Sequence, residues 1–431
     1  MLGLAMVLAG CGPTTDGLAS ASPQPPPTVQ PTGGVQPTTG IDPSASDGAT
    51  SVPASTSTPF TGATWQPLTD FPGTDAFQVT SVTAIGDGFT ATGFQALADE
   101  GFFGRRQGVM WHSPDGRSWQ TVVDQAFQFV TPEELVTVGT TTFVFGTYET
   151  CGLSFDDECI EPPEAGWGVW RSIEAGPWER LPLPASMQTG SVDGAIAANG
   201  GLVAYGLSGD DGQPVVWTSA DGAAWAQTTD LAGMDPVTAM AAAPTGLVGF
   251  GNPFSSDFGD LELLAALSTD AVHFVRVTAP PLAATTIQSV TAGRNGLVAV
   301  GDGEDVDLNS SAVALHSADG SSWTEAAPTD GSFGQSALTG VHAVPAGYVA
   351  VGIKPVPDDF GKATAASWFS ADGLSYRALA PFGNTFSQLT ASVAGPRGII
   401  CFTVIEEEPD EETVISTIEA WFAPIEAMPT Q

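Results

Sequence analysis

The sequence predicts an all-β chain, a seven-bladed β-propeller of four-stranded antiparallel blades, over residues 61–431. Three observations support this prediction. A glycine-bounded apolar strand recurs seven times, an Asp-Gly hairpin recurs between these strands, and an isolated copy of the outermost strand precedes the first repeat. Repeats spaced about 50 residues apart are typical of propellers, because each repeat supplies one sheet around a common axis. A β-sandwich also has alternating strands, but it does not predict seven such copies.

The glycine-bounded strand forms one half of each repeat. An alternating strand precedes it, as at residues 79–85 in the first repeat. Apolar and β-branched residues favour strands and glycine favours turns, so each copy is predicted to be a buried strand that ends at a turn. The seven copies lie at residues 88–93, 142–146, 201–206, 246–251, 296–301, 347–352 and 398–403.

The other half of the repeat is a hairpin with the pattern Ser-x-Asp-Gly-x-x-Trp. Clear copies lie at residues 111–119, 217–225, 315–323 and 368–376, and degenerate copies at 170–178 and 267–274. Asp-Gly favours a two-residue hairpin turn because both residues tolerate positive φ. The Asp carboxylate can also accept backbone N–H groups of the turn. A structural role in the turns is therefore predicted for Asp115, Asp221, Asp270, Asp319 and Asp372.

The two ends of the repeat region predict how the ring closes. The seventh repeat stops at residues 420–423 without an outer strand. The segment Thr64-Trp65-Gln66-Pro67-Leu68 is similar to the first repeat's outer strand, Ser118-Trp119-Gln120-Thr121-Val122. We therefore expect the N-terminal strand to complete the last blade. This closure removes sheet edges that would otherwise pair with other chains.

The first residues of the chain are predicted to be a targeting signal. The run Leu8-Ala9-Gly10-Cys11 resembles the bacterial lipobox, with small residues before the cysteine. The resemblance implies that residues 1–11 are a lipoprotein signal and that Cys11 is lipidated. The protein is then extracytoplasmic and lipid-anchored to the bacterial cell membrane. No basic residue precedes the apolar run, which departs from the usual pattern, and a plain secretory signal is the alternative.

Residues 12–60 are rich in Pro, Thr, Ser and Gly and have few large apolar side chains. Such a segment cannot bury enough apolar surface to offset the entropy of ordering. We predict a disordered linker that holds the propeller away from the membrane.

The charge balance is strongly acidic. The chain has 11 Lys+Arg against 48 Asp+Glu, a formal net charge of -37. This charge repels nucleic acid and anionic lipid, so no nucleic-acid partner is expected and membrane contact is expected only through the N-terminal lipid. The acidity favours cations or basic partners, and adaptation to salt is the alternative explanation.

Three further cysteines follow Cys11. Cys151 and Cys159 are close in sequence, which in an exported protein predicts a disulfide. A metal pair is the disfavoured alternative because no further Cys or His lies nearby. Cys401 stands in an apolar run and is predicted to be a small buried hydrophobic residue.

The hairpin pattern resembles the Asp-box, or BNR, repeat of sialidase-like propellers, shortened by one residue between Asp and Gly. The resemblance covers residues 61–431 and implies the fold more strongly than an activity, because these boxes are structural turns. Sialidases clasp a carboxylate with three arginines and use a Tyr–Glu pair with an acidic Asp. No arginine of this chain lies in the family's Arg-Ile-Pro context. Other Asp-box rings bind partners without catalysis.

Acidic residues concentrate in the loops predicted between the second and third strands, which should emerge on one face of the ring. In the loop of the fifth blade, Ca²⁺ could be bound because oxygen-bearing side chains alternate and Ca²⁺ takes six to eight oxygen ligands. A solvated acidic loop is the alternative, and no other cofactor is predicted. The candidate ligands are Asp302, Glu304, Asp305, Asp307 and Asn309.

The leading functional hypothesis is a surface-anchored, extracytoplasmic binding or scaffolding lipoprotein that uses this acidic loop face. It is expected to be a monomer with a protein or glycan ligand. No catalytic residue is assigned, because no Ser-His-Asp or histidine-cluster spacing stands out. The alternative is an exported glycan-active hydrolase of sialidase-like fold, which would need two carboxylates about 5–10 Å apart. A purely structural envelope protein is the third hypothesis.

Overall fold

The computed structural model describes residues 64–73, 78–96, 106–150, 164–209, 211–252, 262–280, 282, 285–304, 310–356, 363–384, 388–410 and 413–424. All of them belong to one compact unit, Thr56–Gln431. They form seven antiparallel sheets arranged as blades in a ring, which confirms the predicted β-propeller. Within these ranges no helix has the length and apolar character needed to cross a bilayer.

Each blade runs from an innermost strand near the axis to an outer strand at the rim. The innermost strands are Gln78–Ile85, Val130–Val138, Ser191–Ala198, Val237–Ala243, Thr286–Gly293, Ala337–Val344 and Gln388–Gly395. The second strands are Gly88–Ala96, Thr141–Glu149, Gly201–Leu207, Gly246–Gly251, Gly296–Glu304, Gly347–Pro355 and Gly398–Asp410. The third strands are Arg106–Ser113, Ala165–Ile173, Pro214–Ser219, Leu264–Ser268, Ser310–Ser317, Ala363–Ser370 and Thr413–Pro424. The outer strands of blades 1 to 6 are Gln120–Val122, Glu179–Leu181, Ala226–Thr228, Val275–Arg276, Thr324–Glu325 and Ser375–Ala378.

The outer strand of blade 7 comes from the other end of the repeat region, as predicted. Gln66–Pro67 pairs antiparallel with the third strand of that blade, with Gln66 opposite Phe422. The Leu68 N–H continues the pairing to the Ala420 carbonyl at 2.8 Å. The innermost strands of blades 7 and 1 also contact each other, so the ring is closed at both its axis and its rim.

Between neighbouring blades lie seven separate clusters of buried apolar side chains in the described part of the chain. Large aromatic residues dominate them because each buries a large apolar area. Trp111, Trp217 and Trp368, on the third strands of blades 1, 3 and 6, are almost completely buried. The ring therefore has a divided core, with one part between each pair of sheets.

Two features depart from the repeat. Blade 6 has a fifth strand, Ala327–Pro328, which pairs parallel with its outer strand. This strand belongs to the connection from blade 5, so the connection lengthens the neighbouring sheet. In the described connections between blades there are also two short helices, a 3-10 turn at Gln125–Phe127 and an α-helical turn at Ala185–Gln188.

In the Asp-Gly hairpins the Asp carboxylate accepts backbone N–H groups of the turn, as expected, but the loop is longer than a two-residue turn. Gly116 has positive φ, whereas Asp115 is absent from the described residues with positive φ. The Asp115 carboxylate accepts N–H bonds from Arg117 at 2.8 Å and Ser118 at 2.7 Å, and the Ser113 hydroxyl accepts one from Gly116 at 2.8 Å. The loop is therefore longer than two residues, and these side-chain oxygens satisfy its backbone donors.

Replacing Asp115 by alanine should lower the free energy of unfolding by about 1–2 kcal/mol, because two backbone donors lose their acceptor. Asp115→Asn keeps an acceptor oxygen at the same place and should lose less. Urea denaturation of both variants at neutral pH measures the difference. Equal loss in the two variants would contradict a role for the acceptor geometry.

Candidate axial binding site

A β-bulge occurs near the start of all seven innermost strands. In each blade the pairing with the second strand shifts by one residue, as between Val79 and Ser81 in blade 1. A bulge leaves one residue unpaired and re-aims its side chain. The bulged residues are Thr80, Glu133, Asp193, Thr238, Gln288, Thr339 and Thr390, in the order of blades 1 to 7. They lie toward the end of the ring where innermost strands begin and second strands end, here called the loop face.

Threonine at the bulge satisfies its own hydroxyl group. In blades 1, 4, 6 and 7 the threonine hydroxyl donates to a carbonyl of the second strand of the same blade, at 3.3–3.5 Å. Blades 2 and 3 instead carry Glu133 and Asp193. The repeat therefore shows a structural solution for this position, and two adjacent blades depart from it with acidic side chains.

Glu134 follows the bulge of blade 2 and is the largest departure from the repeat. The corresponding residues of the other six blades are small. The Ser81 hydroxyl of blade 1 lies 3.3 Å from Glu134 Oε2, and it accepts an N–H bond from Leu135 at 3.1 Å. Glu134 of blade 2 thus contacts the innermost strand of the preceding blade, blade 1. The six small residues are Ser81, Gly194, Ala239, Ser289, Gly340 and Ala391.

The environment of Glu134 favours its protonated form. Burial raises the pKa of Glu134 from 4.5 to about 7, the Ser81 hydrogen bond opposes this shift, and the Glu133 charge adds to it. Burial also raises the pKa of Glu133, against the attraction of the Arg106 guanidinium. A carboxyl group whose pKa lies near neutrality can both bind a cation and exchange a proton.

Tyr205 brings a hydroxyl group to the same place from blade 3. It lies on the second strand opposite Gly194, and only 8% of its surface is exposed. A Cβ at Gly194 would lie 2.2 Å from the Tyr205 hydroxyl oxygen, so the tyrosine occupies the space that a side chain at 194 would need. Burial raises the Tyr205 pKa, and the charges of Glu134 and Asp193 raise it further. Ser81, Glu133, Glu134, Asp193 and Tyr205 are called the axial cluster below.

Two more carboxyl groups share the loop face. Asp193 is exposed to solvent, but partial desolvation of its carboxyl group raises its pKa, and a hydrogen bond with Ser191 opposes this shift. Burial also raises the pKa of Asp302, which accepts a hydrogen bond from Gln288, the bulged residue of blade 5. Within the described part of the chain, Arg106 is the cation that acts on one of these four carboxyl groups. As far as the described residues show, these carboxyl groups are therefore largely without counterions.

A separate polar contact lies near the axis in blades 6 and 7. His342 Nε2 is 2.8 Å from the Ser392 hydroxyl, and burial lowers the His342 pKa to about 4. This imidazole is therefore neutral near pH 7. It adds no positive charge to balance the carboxyl groups of blades 2 and 3.

Most of the binding residues predicted from the sequence lie outside the described residues. These are Cys11, Cys151, Cys159, Asp305, Asp307 and Asn309, and for Glu304 the structure describes the backbone alone. Asp302 is described and has the hydrogen bond with Gln288 given above. Across the described ranges, no group of three or more His, Cys, Asp or Glu residues could hold a metal ion. The predicted calcium site therefore stays a prediction.

The five turn aspartates lie at the opposite end of the ring from the axial cluster. Asp221, Asp270 and Asp372 each accept two backbone N–H bonds, as Asp115 does, and Asp319 accepts one from Ser321. In blade 4, Ala271 adopts φ 61 at the turn position where blades 1, 3, 5 and 6 have glycine. These side chains are engaged in their own loops and do not converge on one site.

No protein-family model and no curated protein matches this chain. Solved structures that it resembles include the Trypanosoma rangeli sialidase, with 10% identity and a TM-score of 0.40, covering 81% of this chain and 55% of that one. A second is the phage phi92 endosialidase, with 10% identity and a TM-score of 0.45, covering 86% and 70%. A third is 1,3Gal43A, an exo-beta-1,3-galactanase from Clostridium thermocellum, with 10% identity and a TM-score of 0.36, covering 80% and 85%.

The chain spans about half the length of the trypanosomal sialidase that it matches. At these identities and TM-scores, the similarity does not indicate which residues act or what they bind. The chemistry of the axial cluster is therefore the basis for a functional assignment.

Proposed function

We propose that this protein is a lipid-anchored, extracytoplasmic binding protein that recognises a cationic ligand or basic partner surface at the loop face. The observation that carries the proposal is the group of four poorly compensated carboxyl groups, Glu133, Glu134, Asp193 and Asp302. Desolvated carboxylates are costly unless a positive charge or hydrogen-bond donors compensate them. A ligand with such groups would supply this compensation.

The net charge also favours recognition of a cationic ligand. A formal charge of -37 attracts cations over a long range and accelerates their encounter with the protein at low salt. The axial cluster then supplies short-range contacts at one end of the ring. The lipidation of Cys11 and the linker of residues 12–60 would place this face outside the cell, tethered to the membrane.

The test compares two triple variants of equal charge. At pH 8, above the Glu134 pKa of about 7, Glu133→Gln, Glu134→Gln and Asp193→Asn remove three charges at the loop face. Asp87→Asn, Glu174→Gln and Glu325→Gln remove three exposed charges elsewhere. Calorimetry at two salt concentrations measures the affinity of each variant for a lysine-rich peptide. We expect this affinity to fall at least tenfold in the first variant and about twofold in the second. Equal weakening would mean that net charge alone attracts the peptide and would refute a loop-face site.

A glycan-active hydrolase is the second candidate, and the pKa of Glu134 favours it. A general acid works best when its pKa lies near the operating pH, and Glu134 meets this condition beside the Tyr205 hydroxyl. Release of a fluorophore from a panel of aryl glycosides tests it. Turnover by the wild type that Glu134→Gln abolishes would support the hydrolase, and lack of turnover across the panel would count against it.

A further inference from the structure

Two of the five asparagines in the chain, Asn199 and Asn295, are followed by glycine. Asparagine is chemically labile, and most of all before glycine, because glycine has no side chain to shield the backbone nitrogen that attacks the amide. Both asparagines are exposed, and each lies in the turn between the innermost and second strands of its blade, blade 3 or blade 5. The two sites therefore share their sequence context and their place in the repeat, and they differ in the contacts around them.

In blade 3 the attacking nitrogen lies inside an open turn. Ala198 pairs with Gly201, so Asn199 and Gly200 form a two-residue loop, with φ of 51 and 77. Positive φ at both positions is the turn geometry that Asn-Gly favours. A Cβ placed on Gly200 would meet no atom within 4 Å. The described residues give the Asn199 amide no hydrogen-bond partner, so it can turn toward the Gly200 nitrogen without breaking a contact.

In blade 5 the same pair of residues is held by its neighbours. The Asn295 side-chain amide donates to the Ala371 carbonyl of blade 6 at 2.7 Å. The Asn295 backbone carbonyl lies 2.8 Å from His316 Nε2. Gly296 is the first residue of the second strand and pairs with Gly293, so its nitrogen belongs to the sheet and not to a free loop. Reaction at this site needs both the amide and the strand end to leave their places.

We propose that Asn199 is a site of spontaneous deamidation in the folded protein and that the fold protects Asn295 from the same reaction. The deprotonated backbone nitrogen of Gly200 attacks Asn199 Cγ, the new C–N bond closes a five-membered succinimide, and the side-chain nitrogen leaves as ammonia. Water then adds to one of the two succinimide carbonyls and opens the ring to aspartate or isoaspartate. The reaction consumes one water and releases one ammonia, and it needs neither an oxidant nor an enzyme.

The two products differ in their effect on the turn. Aspartate keeps the backbone and adds one negative charge. Isoaspartate runs the backbone through the side-chain carbon, which lengthens a loop of two residues by one atom and disturbs the pairing of Ala198 with Gly201. We expect the isoaspartate form to melt at a lower temperature than the wild type, and Asn199→Asp to melt close to it. This turn lies at the opposite end of the ring from the loop face, so the inference is independent of the proposed function.

The test follows both sites in the full chain by peptide mapping with mass spectrometry during incubation at mildly alkaline pH. In urea the two asparagines should react at rates within about twofold of each other, because the contacts of the fold are lost. In the native protein Asn199 should react about tenfold faster than Asn295. Equal native rates, or an Asn199 rate slowed by folding as strongly as that of Asn295, would overturn the proposal.

A second measurement identifies the product and its position. An isoaspartate methyltransferase should transfer methyl groups to the aged wild type, in the peptide that contains residue 199. Asn199→Gly keeps a residue that tolerates positive φ and removes the amide, so its aged form should accept far less methyl. Both native rates should rise with hydroxide concentration, because the attacking nitrogen must lose its proton. Equal methyl transfer to aged wild type and aged Asn199→Gly would place the reaction elsewhere and overturn the assignment.

Discussion

Phe71→Ala is expected to be among the most destabilising single substitutions in the propeller. Phe71 lies between blades 7 and 1, 3% exposed, with its ring centroid 5.4 Å from Trp111, 5.7 Å from Trp119 and 5.1 Å from Phe402. Truncating a buried phenylalanine costs about 3–5 kcal/mol, because apolar burial is lost and a cavity remains. The same change loosens the segment that follows the ring-closing strand. Urea denaturation followed by tryptophan fluorescence measures the loss.

Two controls accompany Phe71→Ala. Phe71→Leu keeps most of the volume and should lose less than half as much. Val123→Ala removes an apolar side chain that is 63% exposed and should change stability by less than about 0.5 kcal/mol. If Phe71→Ala were as mild as Val123→Ala, the contact between blades 7 and 1 would not contribute to the stability of the ring.

Glu134→Gln is expected to stabilise the protein at pH 8 and to have little effect at pH 4.5. The folded-state pKa of about 7 lies above the ordinary value of 4.5, so the folded state holds a proton that the unfolded state releases. This shift costs stability progressively as pH rises from 4.5 to 7. At about 1.4 kcal/mol per pKa unit, the full cost is on the order of 3 kcal/mol. Glu134 keeps some surface exposure, so solvent screening reduces this cost.

His342→Asn serves as the control for Glu134→Gln, because His342 affects stability with the opposite pH dependence. Burial lowers the His342 pKa from 6.5 to about 4, so the unfolded state binds a proton more readily. His342 therefore contributes stability above pH 6.5 that is lost as pH falls toward 4. Between about pH 4.5 and 6.5, rising pH lowers the free energy of unfolding through Glu134 and raises it through His342. The two effects partly cancel in the wild type, and each single variant should show the pH dependence of the group that remains. Melting curves at six pH values test this, and parallel curves for wild type and both variants would contradict it.

The repeat made most of the fold predictable from sequence. Seven glycine-bounded strands became seven second strands, and the similarity of residues 64–68 to residues 118–122 correctly predicted the strand that closes the ring. Because the hydrophobic pattern recurs in seven repeats of such a chain, a single irregular repeat does not change the fold that the pattern predicts. The fifth strand of blade 6 was missed because Ala327–Pro328 is two residues long and lies in a connection. The hairpin turn was wrongly predicted as two residues because Asp-Gly also fits a longer loop stabilised by the Asp side chain.

The axial cluster was missed because acidic residues are abundant and the sequence does not give the pKa of any one of them. The available signal was a break in the repeat. When the innermost strands are aligned at their bulges, Glu134 stands where six other blades have small residues, and Tyr205 faces Gly194. The register of those bulges comes from the structure, and the sequence alone does not give this alignment. Most of the loop residues predicted to form the acidic face lie outside the described residues, so that face stays a prediction.

The pairing of Gln66 with Phe422 has a consequence for how the chain reaches its native state. During synthesis the ring-closing segment leaves the ribosome first, but its partner strand follows more than 350 positions later. Six blades can assemble from sequence-local hairpins, whereas the seventh needs a contact of extreme sequence separation. Ring closure is therefore expected to be the slow, late step of folding. Until it occurs, Trp65 and Phe71 lack the neighbours that bury them in the finished ring, which makes the unclosed chain the form most prone to associate with other copies.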